Sequence, residues 1–224
     1  MAYWAKPSVI VVMGDCMIHL NVSELCLSSE ETLFPELQQI PAMQRRRLSR
    51  IAKLALNSAL TALKDSSVDY IVWVSQYGDE HKTFKILEDV LQDQTPSPTQ
   101  FSTSVHNAVS GLYSILCQDG TPATSLAGTW NDALIEAYSW LKTATKTDAQ
   151  VLVVFYDESI PAVYMESCPF DSFAVAAKVS LAHANLALKL DKYKKNQKYY
   201  EDTFAFYNFW KNDAVVDFNG WTKL

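Results

Sequence analysis

Three short apolar runs rich in β-branched residues constrain the fold of this chain more than any other feature. They span residues 8–13, 70–75 and 151–156. Their length suits buried strands and falls far below the roughly 20 residues of a transmembrane helix. Amphipathic segments lie between them, and strands that alternate with helices build a largely parallel sheet covered on both faces. The sequence therefore predicts an α/β fold without a transmembrane helix.

Four helices are predicted from apolar residues that recur every three or four positions. They cover residues 42–63, 80–91, 104–116 and 132–141. The first follows Pro41, and proline favours helix starts. The third contains Gly111, which costs a helix about 1 kcal/mol relative to alanine. We interpret a glycine in the middle of a helix as a mark of close packing.

Two further apolar segments complete the predicted sheet. Residues 123–127 follow a Gly-Thr-Pro turn at 120–122, and residues 173–182 form a longer run. Each is predicted as a strand because it is apolar and lies beside turn-forming residues. The sheet then has about five strands, and we expect the last of them to be antiparallel.

The chain is long enough for one domain with a sizeable core. It has 224 residues, of which 49% are hydrophobic. From residue 191 the composition changes to a lysine- and tyrosine-rich turn and then an aromatic segment. We predict a domain over residues 1–190 and a helical tail over residues 191–224 that packs on it. The tail's aromatic side chains are predicted to cover the core or a subunit contact, with a ligand cage as the alternative.

Charge and the N-terminal sequence limit the classes of function. Nineteen basic and 25 acidic side chains give a net charge of −6, which argues against binding to nucleic acid phosphates. The N-terminus has no basic segment followed by a long apolar stretch. We therefore predict no signal peptide and a cytoplasmic location.

The sequence contains no motif for a metal, a nucleotide or a common nucleophile. Its cysteines form no CxxC pair and its four histidines are isolated, so no metal site and no cofactor are expected. The four cysteines, which are predicted to be free thiols, are Cys16, Cys26, Cys117 and Cys168. The patterns GxSxG, GxxxxGK[ST] and GxGxxG are absent, which removes support for the common hydrolase and nucleotide-binding functions.

All four arginines of the chain lie within six residues, at the start of the predicted helix over 42–63. They are Arg45, Arg46, Arg47 and Arg50. They cannot all face the core. Either they form a solvated face, where each ion pair adds little stability, or they bind carboxylate or phosphate groups of a partner through paired N–H donors. Both interpretations stay open.

Residues 97–122 carry the most specific motif of the chain. They contain Ser-Pro-Thr-Gln-Phe at 97–101, Ser-Val-His-Asn-Ala at 104–108, Gly111 and the turn at 120–122. This order resembles the N-terminal half of β-ketoacyl synthases, where an Asn-Ala-x-x-Gly helix precedes a Gly-Pro turn and the nucleophile strand. With the upstream segment 41–50, it is similar to the short chain-length factors, in particular those of aryl-polyene type II polyketide systems. The resemblance covers about residues 1–190.

The resemblance implies a fold, a partner and a role. The fold is a thiolase-like half, the N-terminal half of a ketosynthase. The partner is an active β-ketoacyl synthase, with which a chain-length factor forms a heterodimer. The role is to shape the tunnel for an acyl chain that is elongated on an acyl carrier protein, while the partner's cysteine handles the acyl and malonyl thioesters. No cofactor is implied.

The chain departs from ketosynthases where their nucleophile lies. Ketosynthases place a cysteine at the start of the helix after the nucleophile strand, where the helix N-terminus lowers the pKa of the thiol. Here residues 126–131 read Leu-Ala-Gly-Thr-Trp-Asn, and Cys117 precedes the Gly-Thr-Pro turn. The two catalytic histidines of the family come from its second half. We expect no catalytic residue and no activity of the chain alone.

The resemblance also implies an interface on the predicted helix 104–116 and strand 123–127, which meet their counterparts across the dimer axis in the family. The residues implied are Ser104, His106, Asn107, Gly111, Ser114, Ile115, Ala123 and Ser125. Gly111 would permit close approach, and the strand is expected to be an unpaired edge.

The nucleophile region is represented by Gly128, Thr129 and Trp130. Trp130 has two interpretations. It is either a core residue at a helix start or part of the wall that stops growth of the acyl chain.

Two alternative functions stay open at this point. One is a small stand-alone acyltransferase or thioesterase with an unrecognised nucleophile such as Cys117 or Ser104. The other is a self-associating binding module that has no ketosynthase partner.

Overall fold

A computed structural model describes residues 17–164 and 169–224 of the chain. The predicted strand over residues 8–13 lies outside these residues, as do Cys16 and Cys168. No helix in the two described ranges has the length and apolar character that crossing a membrane requires.

The described strands form one mixed sheet of eight, not about five. They are β1 (Met17–Ser28), β2 (Tyr70–Ser75), β3 (Ala123–Ala127), β4 (Val151–Asp157), β5 (Phe173–Ser180), β6 (Leu186–Lys189), β7 (Asp217–Phe218) and β8 (Trp221–Lys223). Their order across the sheet is β3-β2-β4-β5-β1-β6-β8-β7. β2 pairs in parallel with β3 and β4, whereas β5 pairs antiparallel with β4, as predicted for the last strand. The expected α/β class is confirmed.

Seven α-helices and one short 3-10 helix connect the strands of the described chain. The α-helices are α1 (Ala42–Arg45), α2 (Arg50–Leu63), α3 (Glu80–Leu91), α4 (Pro98–Ser104), α5 (Ala108–Cys117), α6 (Trp130–Thr143) and α7 (Tyr199–Lys211), and the 3-10 helix is Pro35–Gln39. The prediction of a helix over 80–91 is confirmed. The one over 132–141 lies within α6, which begins earlier and ends later.

Two predicted helices differ from the structure because capping residues interrupt them. The helix predicted over 42–63 breaks into α1 and α2 at Ser49, whose backbone is extended and whose side chain accepts a hydrogen bond from Ala52 N at 3.4 Å. Serine in this position stabilises a new helix start. Likewise, Val105 is extended, so the segment predicted as one helix over 104–116 contains the end of α4 and most of α5.

The core lies on both faces of the sheet, as the continuous apolar run of β4 requires. Alternate residues of β4 point to opposite faces. Val151, Val153 and Phe155 join the core beneath α6 and α7, whereas Leu152 and Val154 join the core beneath α2 and α5. The two helical layers therefore enclose β4 completely.

The segment over residues 191–224 contributes a helix and two strands to this architecture. β8 pairs antiparallel with β6 and extends the sheet. Phe206 of α7 and Trp221 of β8 are fully buried, with ring centroids 5.1 Å apart. The boundary predicted at residue 190 stays a prediction.

Candidate functional site

The carboxyl ends of the parallel strands β2, β3 and β4 meet at one edge of the sheet. Their last residues are Ser75, Ala127 and Asp157, and β2 lies between the other two strands. Ligands of α/β proteins bind beyond the carboxyl ends of such strands. We therefore treat this edge as the candidate site.

Residues at the junction between β3 and α6 form hydrogen bonds with one another. Thr129 is the N-cap of α6, and its hydroxyl accepts a hydrogen bond from Asp132 N at 3.2 Å. In return, the Asp132 carboxylate accepts a hydrogen bond from Thr129 N at 2.8 Å. This capping box satisfies donors that a helix start otherwise leaves free. A Cβ added to Gly128 would lie 3.0 Å from the Asp132 Cβ, so the junction is tightly packed.

The loop after β6 covers the same junction. The Tyr193 hydroxyl lies 3.3 Å from the Thr129 hydroxyl and donates a hydrogen bond to the Asp202 carboxylate at 2.6 Å. Lys195 Nζ forms an ion pair with Asp132 at 2.8 Å. Side chains of this chain therefore occupy the start of α6, and no thiol lies among them.

Trp130, the first residue of α6, is a fully buried core residue. Its ring packs against Phe206 with centroids 5.3 Å apart. Its indole Nε1 has no hydrogen-bond partner among the residues that the structure describes. The packing role of Trp130 is thus visible in this chain, whereas its role in a tunnel wall stays a prediction.

A buried carboxylate organises the ends of β2 and β4. Asp157 accepts hydrogen bonds from Ser75 Oγ and Gln76 N, each at 3.0 Å, and from Tyr77 N at 3.4 Å. Burial raises the pKa of Asp157 from its ordinary 3.8 to about 7, against the lowering effect of these hydrogen bonds. Asp157 therefore changes its charge near neutral pH.

Two further acidic residues lie at this edge. Burial and the negative charge of Asp79 raise the pKa of Glu158 to about 8. Asp79 is itself buried and forms an ion pair with Lys82 at 2.8 Å. In the described ranges no group of three or more His, Cys, Asp or Glu side chains could hold a metal ion.

Sequence analysis missed these acidic residues, although a signal for them exists. Asp157 and Glu158 directly follow the apolar run 151–156, and Asp79 lies four residues after the run 70–75. Polar residues at such strand ends converge at one edge of a parallel sheet.

The predicted interface residues on α5 form one exposed face. Asn107, Gly111, Ser114 and Ile115 are all exposed, and Ile115 exposes 74% of its surface. A Cβ added to Gly111 would meet nothing within 4 Å. The face therefore leaves room for a neighbouring helix or strand to approach the α5 backbone.

β3 lies beside this face at one end of the sheet. It pairs only with β2 within the described chain, which leaves its outer edge open as predicted. Ala123 is exposed and Ser125 is half-buried. An open strand edge of this kind offers unpaired N–H and C=O groups to another chain.

The other two predicted interface residues point in different directions. Ser104 ends α4, and its hydroxyl donates a hydrogen bond to Phe101 O at 2.9 Å. His106 is half-buried, with Nε2 3.2 Å from Ser75 O, and its carbonyl accepts a hydrogen bond from Tyr156. His106 thus connects the start of α5 to the carboxyl edge of the sheet.

Two arginines of the cluster bind other residues of the chain, and the other two have exposed side chains. Arg45 donates hydrogen bonds to Leu37 O and Gln38 Oε1, and Arg50 forms an ion pair with Glu30 at 3.4 Å. Arg46 and Arg47 are exposed, and among the described residues their guanidinium groups have no ion pair or hydrogen bond. The cluster does not lie at the start of one long helix, because α1 ends at Arg45 and α2 begins at Arg50.

The two cysteines in the described ranges are poor nucleophiles. Burial raises the pKa of Cys117 to about 11, and the charge of Asp119 adds to this effect. Burial likewise raises the pKa of Cys26 to about 11. The thiolate is the reactive form, so neither side chain supports the alternative of a cysteine-dependent acyltransferase.

The chain is similar to a known protein family. The model of the β-ketoacyl synthase N-terminal domain matches residues 22–215 of the chain. No curated protein sequence matches it.

Two solved bacterial structures are among those similar to this chain. One is the ketosynthase (ApeO) in complex with its chain length factor (ApeC) from Xenorhabdus doucetiae, with 25% identity, a TM-score of 0.65, and coverage of 75% of this chain and 81% of the matched one. Another is PksG, an HMG-CoA synthase from Bacillus subtilis, with 11% identity and a TM-score of 0.46. That match covers 80% of this chain and 44% of the synthase.

Proposed function

Because the chain belongs to the β-ketoacyl synthase N-terminal domain family, we propose that it is a non-catalytic chain-length factor. It forms a heterodimer with an active β-ketoacyl synthase and helps to shape the tunnel for the growing acyl chain. The partner's cysteine carries that chain, and an acyl carrier protein delivers the acyl and malonyl units. The products belong to aryl-polyene or related type II polyketide and fatty-acid-like chain elongation.

The junction between β3 and α6 carries this proposal. A condensing enzyme needs a thiolate at a helix start to hold the acyl group. Here Thr129 caps the helix with Asp132, Trp130 points into the core, and the Tyr193–Asp202 pair covers the junction. An acyl group would have neither a nucleophile nor free space at this position.

The solved complex from Xenorhabdus doucetiae supports the choice of partner. It contains a ketosynthase and its chain length factor. The match covers similar shares of both chains, 75% and 81%, so the matched chain is close to this one in length. This resemblance favours the smaller, supporting role over that of the condensing enzyme.

The exposed surface of α5 and β3 supports the mode of assembly. Gly111 and Ile115 lie on one helix face, and the adjacent edge of β3 is open. A partner with the same fold could pair with β3 and pack a helix on α5. Association would cover both the apolar side chain of Ile115 and the open strand edge.

The experiment that tests this function is co-expression with an active β-ketoacyl synthase from the same organism. We expect poor solubility of the chain alone and a 1:1 complex on co-expression, measured by sedimentation. A monomer or a homodimer that does not bind the ketosynthase would overturn the proposal. The homodimer would favour the self-associating module instead.

A further inference from the structure

A positively charged segment begins at Lys189, the last residue of β6, and continues into the loop after it, in a chain that is otherwise acidic. Residues 189–198 contain five lysines and one aspartate, within a chain of net charge −6. The lysines are Lys189, Lys192, Lys194, Lys195 and Lys198. We call residues 189–198 the lysine loop. Its local charge is opposite to that of the chain as a whole.

Hydrogen bonds hold the lysine loop in one conformation. The buried carboxylate of Asp202 accepts hydrogen bonds from Tyr193 OH at 2.6 Å and from Asn196 N at 3.2 Å. The Asn219 side chain binds the backbone in the middle of the loop. It accepts a hydrogen bond from Lys194 N at 3.2 Å and donates one to Lys194 O at 3.4 Å. Asp202 and Asn219 therefore anchor the backbone of the loop that carries the lysines.

The turn at residues 219–220 packs closely against the backbone of the lysine loop. Gly220 has a φ of +86°, and a Cβ added there would lie 2.8 Å from Lys189 O. Only glycine permits so close an approach at positive φ. Both the Asn219 side chain and the turn thus fix where the lysine loop lies.

The charge of the loop is only partly neutralised. Lys195 pairs with Asp132 at 2.8 Å and Lys198 with Glu201 at 3.4 Å. Lys192 is exposed and has its neighbour Asp191 at 3.5 Å. Lys194 is exposed and has no carboxylate within ion-pair distance among the residues described. Like charges held together repel each other, so a ligand of opposite charge would relieve this cost.

A shallow cleft lies beside these lysines. Its volume is about 710 Å³, and its walls include Lys194, Lys195, Lys198 and Asn219. Two carboxylates also line it, Glu201, which pairs with Lys198, and Asp202, which accepts the hydrogen bond from Tyr193. Ala205 and Phe218 form an apolar part of the surface, and Phe218 exposes 48% of its area. An open cleft with an apolar floor and a charged rim resembles a protein-binding surface more than an enclosed small-molecule site.

We propose that the lysine loop is a docking surface for an acidic segment of another protein. The lysines are distributed along ten residues, which matches several carboxylates along a polypeptide better than one phosphate. The loop contains no arginine to hold phosphate by paired donors. Tyr193, the aromatic residue of the loop itself, is tied to Asp202 and is not a free platform on which a base could stack. The surface shares no residue with the α5–β3 face, so this proposal is independent of the proposed heterodimer.

Binding of a fluorescent peptide that alternates glutamate and serine tests the proposal. The full chain is used in whichever form it is purified, alone or with a ketosynthase. We expect saturable binding that weakens as salt is raised from about 0.05 M to 0.3 M, since exposed charges are screened over roughly 10 Å at 0.1 M. The double variant Lys192→Ala/Lys194→Ala should weaken binding by about tenfold.

A matched variant and two other anions complete the test. Lys85→Ala/Lys142→Ala removes the same charge from exposed positions on α3 and α6 and should leave peptide binding unchanged. Circular dichroism verifies that both double variants keep the fold. Equal losses in the two variants, or no binding of the peptide, would overturn the proposal. Tighter binding of single-stranded oligothymidylate or inorganic phosphate than of the peptide would also overturn it.

Discussion

The Ser75 hydroxyl donates a hydrogen bond of 3.0 Å to the buried carboxylate of Asp157, and this contact joins the last residues of β2 and β4. The Ser75 carbonyl also lies 3.2 Å from His106 Nε2, just before α5. A short chain of polar contacts thus connects the interior of the sheet edge to the helix that bears the proposed interface.

The burial of Asp157 makes stability depend on pH, because burial raises the pKa of this carboxyl while its hydrogen bonds to Ser75, Gln76 and Tyr77 lower it. Because the pKa of Asp157 is about 7 when folded and ordinarily 3.8, the folded chain holds a proton that the unfolded chain has released at pH 5–6. The stabilising contribution of Asp157 is therefore complete below pH 4 and is lost as the pH rises through about 7. We expect Asp157→Asn to flatten the fall in unfolding free energy between pH 5 and 8, measured by urea denaturation. An unchanged slope would contradict the pKa of Asp157.

Isolated protein should carry no acyl group after incubation with an acyl carrier protein thioester. The start of α6 has no thiol, and burial keeps Cys117 protonated at neutral pH with a pKa of about 11. Intact mass measurement is expected to show the unmodified chain. Stoichiometric acylation, at Cys117 or elsewhere, would instead favour the alternative function, a stand-alone acyltransferase.

Gly111→Leu should have opposite effects on the stability of the lone chain and on its assembly with the ketosynthase. Leucine favours a helix by about 1 kcal/mol over glycine, and nothing lies within 4 Å of the new Cβ. The lone chain should therefore become slightly more stable, while the yield of complex with the ketosynthase falls. Ser139→Leu, at an exposed position of α6, serves as the control and should not alter assembly. Normal complex yield from Gly111→Leu would remove α5 from the interface.

The exposed arginines are expected to contribute to assembly or turnover. Arg45 and Arg50 have contacts within the chain, so the informative double variant is Arg46→Ala/Arg47→Ala. It should lower complex yield or turnover without changing the thermal midpoint, because exposed side chains without partners add little stability. If yield and turnover match the wild type, these arginines belong to a solvated surface.

Trp130→Ala should destabilise the chain strongly, by about 3–5 kcal/mol, because a fully buried aromatic ring leaves a cavity. Product length must therefore be compared in a complex whose integrity has been verified. Longer polyenes from an intact complex would support a role of Trp130 in the tunnel wall. An unchanged product distribution would limit Trp130 to packing against Phe206.

The apolar runs in the sequence were sufficient to predict β2 and β4, two of the strands in the parallel part of the sheet. The β-branched runs of β2 and β4 have both faces buried, so their sequences are apolar throughout. β1 was not predicted, because it is not a continuous apolar run. Its residues alternate in burial near its start, with His19 exposed between Ile18 and Leu20. Such alternation is itself a strand signal, and it was available in the sequence.

Contacts between distant residues account for what the sequence could not predict at the candidate site. The cover over α6 joins Tyr193 to Thr129 and Lys195 to Asp132. No periodicity or motif brings these pairs together, because their proximity depends on the path of the chain between β6 and α7. The same holds for Gln76, whose side chain accepts a hydrogen bond from Tyr199 N at 3.1 Å.

The position of β1 between β5 and β6 also determines when the chain can fold. Asn21 pairs with Ser180 and Leu20 with Leu186, so β1 acquires neither neighbour until most of the chain has left the ribosome. Pairings between residues so distant in sequence form slowly, and unpaired strands are prone to aggregate in the interval. We therefore expect slow refolding from denaturant and a dependence on chaperones during synthesis that a helix of the same length would not impose.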